Sequence, residues 1–358
     1  MARKGLILAL ALTAGACAVQ PVKSTAKAGL LLTEMLAPVK PLQLLPDPRV
    51  TVVDLPDGKA DLYEGRDTMP GVVLVHGVAP GGAADPRIVD VAKSLNRLGR
   101  TVLAPHLGLG DQRLDRTDPA RIRQSIDLLA DKTGDKVMVL AFSFGAAFSL
   151  VAMEQEPEIQ DKVQAMATVG TYFDLVHLLQ GVTAGRVDAP GGLTDEWSPD
   201  PRAGKAVTEF LANYLPSPDE KALVEAYEKR DPEGLNPPSR AIYDLMVNTD
   251  PARTRGLVET LPAGLGDLIN DLSPAARIDR IRIPIEAMHS RQDPAAPPSE
   301  SALLVASLEP PATGRLIRVG SFRHVTPAKG LGLLKDVVPL VGFVSRVFGV
   351  QDRWGLYF

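Results

Sequence analysis

A chain of 358 residues with 45% hydrophobic content can bury one large core and has room for an inserted subdomain. Its formal net charge of -4 gives no electrostatic reason for nucleic-acid or anionic-surface binding, and an aromatic content of 5% argues against a base-stacking platform. Gly and Pro, 31 of each, fall mostly between periodic segments and read as punctuation, not as disorder.

Met1-Ala2-Arg3-Lys4 is a basic start, and residues 5–16 are a run of apolar and small side chains. The run is too short to cross a bilayer, which needs about 20 apolar residues, so residues 1–16 read as a cleaved export signal. Cys17 follows and is the sole cysteine. Ala14-Gly15-Ala16-Cys17 resembles a bacterial lipobox, although Leu is more usual at the position of Ala14. That resemblance implies cleavage before Cys17, lipidation of its thiol and an exported protein of the cell envelope. Ala18 then implies the periplasmic face of the outer membrane where a cell has two membranes. A plain signal peptide is the alternative. Residues 17–48 read as a tether, with a short helix over 29–36 and Pro38, Pro41 and Pro46 stiffening the rest.

Residues 49–55 and 59–63 read as hairpin strands around Pro56-Asp57-Gly58. A dense apolar run over 71–75 predicts a buried strand ending in His76-Gly77. Asp85-Pro86 opens a helix whose Ile88, Val91, Ala92, Leu95 and Leu98 share one face. Another strand is expected over 101–105, then a helix marked by Ile122, Ile126 and Leu129. The run 136–141 is a further strand, 163–170 another. Apolar strands alternating with amphipathic helices predict a mostly parallel sheet covered on both faces, an α/β protein.

The strand over 136–141 runs straight into Ala141-Phe142-Ser143-Phe144-Gly145 and then into a helix rich in small residues. A strand that turns into a helix so abruptly must bend at Ser143, and small residues two positions either side avoid clashes. The turn lifts the hydroxyl above the sheet edge and aims a helix N-terminus at whatever Ser143 meets. The same pattern also serves an ordinary helix start, with Ser143 as its N-cap.

Taken with Leu74-Val75-His76-Gly77 and two later sites, this order resembles the α/β-hydrolase superfamily over roughly 49–170 and 281–350, closest to esterase- and dienelactone-hydrolase-like members. Dienelactone hydrolases proper carry Cys where this chain has Ser143. The resemblance implies an α/β-hydrolase fold, with 49–170 and 281–358 as core and 171–280 as an inserted helical cap. It places the oxyanion loop at His76 and Gly77, with the amides of Val78 and Phe144 holding the oxyanion and His76 as a structural support. Gly81-Gly82-Ala83-Ala84 lacks the Lys and Ser/Thr of a phosphate loop and reads as flexible loop. No cofactor and no metal are expected.

Between 171 and 280 the strand pattern stops. Short helical patterns (Val207, Phe210, Leu211, Tyr214; Leu223, Ala226, Tyr227; Ile242, Leu245, Met246) are separated by prolines. They read either as a substrate-shaping lid or as a packing layer, and His177 belongs to that layer. Residues 281–288 resume the strands, and the resemblance places the acid in the following loop, at Asp293. Residues 316–319 form the last strand, which puts the general base at His324. Ser143, Asp293, His324 is the nucleophile–acid–base order of this fold. Asp174 is the rival acid, Asp293 can instead cap a helix over 299–308, and His289 and His106 are pocket-lining candidates. A mostly apolar helix over 329–350, interrupted by Pro339 and Arg346, closes the chain without reading as a membrane span.

The function these residues imply is a serine hydrolase acting on a small-molecule carboxylic ester, with no nucleic-acid partner and the membrane met through the lipid at Cys17. A peptidase or amidase on the same fold is the nearest alternative, and a non-catalytic envelope lipoprotein is another.

Overall fold

A computed structural model describes residues 22–36, 40–66, 70–188, 194–262, 264–327 and 333–349. The export signal over 1–16 and Cys17 lie outside them.

Hairpin strands β1 (Val50–Leu55) and β2 (Gly58–Tyr63) start the sheet, followed by β3 (Val72–Val75), β4 (Val102–Pro105), β5 (Val137–Phe142), β6 (Val163–Val169), β9 (Pro284–Ser290) and β10 (Thr313–Val319). Among the described residues these eight strands lie in the order β1-β2-β4-β3-β5-β6-β9-β10. β1 and β2 are antiparallel, β2 meets β4 antiparallel, and every other pairing is parallel. Short strands β7 (Arg186–Asp188) and β8 (Thr194–Glu196) form a separate ribbon. The predicted mostly parallel α/β sheet is therefore the observed one.

Side-chain alternation assigns each face its helices. Val73, Val75, Val137, Val139 and Ala141 pack with Ile122, Ile126 and Leu129 of the helix Asp118–Thr133 and with Phe148 and Leu150 of the helix Phe144–Gln155. Val72, Leu74, Met138 and Phe142 point the other way, toward Ile88 and Leu95 of the helix Pro86–Arg97. Asp85 caps that last helix by accepting from the Arg87 amide at 2.9 Å.

The stretch expected as a tether departs from that expectation. Helix α1 (Val22–Leu36) begins earlier than predicted, and Ala28, Leu31 and Leu32 are buried against the second face of the sheet. The Leu42 amide donates to Glu34 at 2.8 Å, while Arg97 and Lys93 hold Asp47 at 2.6 and 2.9 Å. The reason is helical spacing: Ala28, Leu31 and Leu32 make one apolar stripe, which the prolines around it obscure. At the other end of the chain, the helix Leu333–Gly349 packs on the same face through Leu340, Phe343 and Val344, and against α1. No described helix is long and apolar enough to cross a membrane.

Residues 171–280, expected as a helical insertion, hold five helices of seven or more residues among the described ones after the helix Leu175–Ala184. They are Ala203–Ala212, Ser217–Lys229, Pro237–Met246, Pro251–Glu259 and Leu265–Asp271.

Candidate active site

Ser143 sits between β5 and the helix that begins at Phe144, with φ 51° and ψ -126°. A non-glycine residue at positive φ is strained, and here the surroundings enforce it. The Ser143 amide donates to Val169 O at 2.8 Å on the neighbouring strand, and Ala146 N closes the first turn onto Ser143 O at 3.0 Å. Backbone from the preceding loop then crosses within contact of the turn. A Cβ at Gly145 would stand 2.1 Å from His76 O, and one at Gly77 would stand 2.8 Å from Ser143 Cβ. Only glycine fits either place.

The Ser143 hydroxyl makes no capping bond to its helix. It lies 2.9 Å from His324 Nε2. His324 Nδ1 in turn lies 2.8 Å from Asp293 Oδ2. Ser143 therefore does not have the geometry of an ordinary N-cap, and three side chains distant in sequence form one hydrogen-bonded row.

Asp293 is held from several sides. Its Oδ1 accepts the amides of Ala295 and Ala296 at 2.8 and 3.0 Å, so it shapes its own turn, while the following helix Pro298–Ala306 starts without a side-chain cap. The Trp197 indole donates to its backbone carbonyl at 2.6 Å. Burial works against the Asp293 charge, but hydrogen bonds from His289 and His324 outweigh it and hold the carboxyl well below the usual range. It is thus a carboxylate, acceptor only, throughout the neutral range.

His324 also stands at positive φ, 57°. Its loop is fixed from outside: Ser290 Oγ donates to Phe322 O at 2.5 Å. Asp336 Oδ2, from the helix Leu333–Gly349, accepts the amides of Gly320 and Ser321 at 2.6 and 2.7 Å. Gly170, at φ 65°, lets the imidazole lie close, since a Cβ there would stand 3.0 Å from Nδ1.

His76 is fully buried, with Nδ1 donating to Gly77 O at 2.8 Å. Burial pushes its pKa down and keeps the ring neutral. The bond to Gly77 O ties the ring to the loop that carries Val78. The N–H groups of Val78 and Phe144 make no hydrogen bond to any described residue. Phe144 carries its ring against Tyr172 (centroids 4.8 Å apart) and Phe210 (6.2 Å), so residues between 171 and 280 contribute apolar surface beside Ser143.

The other candidates fall elsewhere. Asp174 caps Leu175–Ala184 through the Val176 amide at 2.7 Å and faces Arg255 at 3.3 Å. His106 pairs with Asp61 at 2.9 Å near the antiparallel edge. His177 lies 3.5 Å from Glu300 and 3.9 Å from Asp174. His289, a pocket-lining candidate in the sequence, is fully buried, with Nε2 3.3 Å from Asp293 Oδ2. Trp197, Ser290 and Asp336 gave little sequence signal; a lone carboxylate in an apolar helix was the one hint for Asp336. Among the described residues no group of His, Cys, Asp and Glu could hold a metal ion.

No family model matches this sequence, and no curated protein matches it. Solved structures do. The chain superposes on Pyrococcus horikoshii acylaminoacyl peptidase with a TM-score of 0.53 and 12% identity, over 88% of this chain and 44% of that one. It superposes on a puromycin hydrolase with a TM-score of 0.50 and 17% identity, over 88% of this chain and 41% of the other. The fold is the α/β-hydrolase fold. Est1E from Butyrivibrio proteoclasticus aligns over 84% of this chain and 99% of its own, at 12% identity and a TM-score of 0.45. The chain spans less than half of either the peptidase or the puromycin hydrolase. In this α/β-hydrolase fold, Ser143, Asp293 and His324 follow β5, β9 and β10, so all three rise from the C-terminal edge of the parallel strands.

Proposed function

We propose that this chain is a serine hydrolase that cleaves a carboxylic ester through an acyl-enzyme. The observation that carries the proposal is the hydrogen-bonded row in which His324 bridges Ser143 at 2.9 Å and Asp293 at 2.8 Å. A serine hydroxyl is a poor nucleophile near neutral pH. As its oxygen bonds to the ester carbonyl carbon, His324 Nε2 takes the proton. Asp293 holds the ring tautomer and stabilises the imidazolium. The carbonyl oxygen gains the negative charge, and the N–H groups of Val78 and Phe144 are the donors assigned to it. Collapse breaks the ester C–O bond, and the alcohol leaves with the proton from His324. Water then repeats the sequence and releases the acid and Ser143.

The assignment is tested with short-chain p-nitrophenyl esters beside matched peptide anilides, using wild type and Ser143→Ala. Wild type is expected to cleave the esters, and the variant to lose at least ~10⁴-fold in kcat/KM. Cleavage of the anilides alone would move the chain to the peptidases and amidases. Wild type inert toward both would leave a binding protein.

We propose further that the chain is exported and lipid-anchored at Cys17. Support comes from the basic start, the short apolar run and the placing of the sole cysteine. Lipid still attached in Cys17→Ser, read by metabolic labelling, would contradict it.

A further inference from the structure

His289 stands at the end of β9, four residues before Asp293, with its side chain fully buried. Its Nδ1 lies 2.7 Å from Ser301 Oγ. Its Nε2 lies 3.2 Å from the Ala296 carbonyl oxygen and 3.3 Å from Asp293 Oδ2. Both neighbours of Nε2 are acceptors, so Nε2 carries the proton, and Ser301 donates to Nδ1. Asp293 Oδ2 is also the atom that receives His324. Two imidazoles therefore meet on one carboxylate oxygen, one facing Ser143 and the other facing the interior.

We propose that His289 is a positioning residue for this site: its Nε2–H fixes the Asp293 carboxylate and, by drawing on its charge, moderates how strongly Asp293 attracts the proton taken up by His324. The proposal rests on the hydrolase assignment above. A carboxylate oxygen that already accepts one hydrogen bond attracts a second donor less. Withdrawing His289 concentrates negative charge on His324, holds its proton longer and moves the onset of activity to higher pH. Few other charges bear on the pair. On the helix that carries Ser301, Glu300 faces His177 at 3.5 Å, and His177 faces Asp174 at 3.9 Å, itself paired with Arg255. On the His324 loop, Arg323 is exposed and pairs with Asp200 at 3.8 Å.

Two polar substitutions separate the donor from mere bulk. A glutamine amide nitrogen reaches the place of an imidazole Nε2, whereas that of asparagine reaches only the place of Nδ1. In kcat/KM profiles for an activated ester from pH 5 to 9, His289→Gln is expected to keep the wild-type acid limb. His289→Asn is expected to shift that limb up by about one pH unit, a roughly tenfold loss below it, with a smaller loss on the plateau. Coincident limbs in wild type and His289→Asn, or equal shifts in both variants, overturn the proposal. ¹⁵N spectra of wild-type histidines decide it without any variant: the His289 proton is expected on Nε2, and a proton on Nδ1 overturns it. Wild type that hydrolyses neither ester nor anilide overturns the hydrolase assignment instead, and the spectra still distinguish the two.

Discussion

Ser143 and His324 are both non-glycine residues at positive φ, 51° and 57°, and in the proposed mechanism they are the two residues between which the proton passes. Such strain costs roughly 1–2 kcal/mol per residue and persists only where neighbours fix it. Ser143→Gly is therefore expected to raise the unfolding free energy by about 1 kcal/mol in urea melts while abolishing hydrolysis. Ser143→Ala, equally inactive, keeps the strain and gains no such stability. Gly170→Ala adds a Cβ 3.0 Å from His324 Nδ1 at a position of φ 65°. A displaced imidazole should lower kcat/KM by roughly 10²-fold, and an unchanged rate would mean that Gly170 does not support the ring. Asp293 also ties the site to stability. Its folded pKa is depressed, so its contribution is complete above the ordinary carboxylate range and is lost as pH falls through the folded value.

At the scale of elements, the His324 loop hangs from the C-terminal helix. Asp336 accepts two loop amides, the part-buried one of Gly320 and the buried one of Ser321, and deleting it leaves the Ser321 amide buried without that acceptor. Asp336→Ala is expected to cost about 1–3 kcal/mol and to lower kcat together with stability; wild-type kcat would show that the loop holds itself. A second carboxylate behaves in the opposite sense to Asp293. Burial pushes the Asp118 pKa up to about 6, against the opposing hydrogen bond from the Gly108 amide. A raised folded value favours the protonated form, so stability falls as pH rises from about 4 to 6, by roughly 2–3 kcal/mol at most. Urea midpoints at pH 4.5 and 6.5 should show that slope in wild type and less of it in Asp118→Asn. What the sequence revealed follows the same division. Strands β3 to β6 were legible because apolar runs between turn residues admit little else, and Ser143, Asp293 and His324 were legible because each ends such a strand. Asp336 and His289 were not, since their contacts depend on where helices far along the chain come to pack. The helix expected over 29–36 extends back to Val22, and its packing on the sheet is not legible because neighbouring prolines obscure an apolar stripe of three residues.

For the molecule as a whole, the sheet is sealed on one face by the two internal helices Asp118–Thr133 and Phe144–Gln155, and on the other by Pro86–Arg97 with both ends of the described chain. Leu31, Leu32, Leu340, Phe343 and Val344 line an apolar cavity of about 60 Å³ together with Met138, Leu140 and Phe142, the residue before Ser143. Removing residues 22–39 strips two buried leucines from that wall, worth about 1.5–3 kcal/mol each. A lower urea midpoint is expected, and an unchanged midpoint would make α1 an appendage. The packing also bears on the proposed anchor. Only four residues separate Cys17 from Val22, so a lipid on Cys17 would hold the start of α1 within roughly 15–20 Å of the bilayer. The central claim is that Ser143 is activated by His324 and Asp293. A fluorophosphonate probe followed by intact mass and peptide mapping tests it most directly. One adduct on Ser143 in wild type, and none in His324→Ala over the same time, is the expected result. No adduct on the folded protein, or an adduct on another residue, would contradict it.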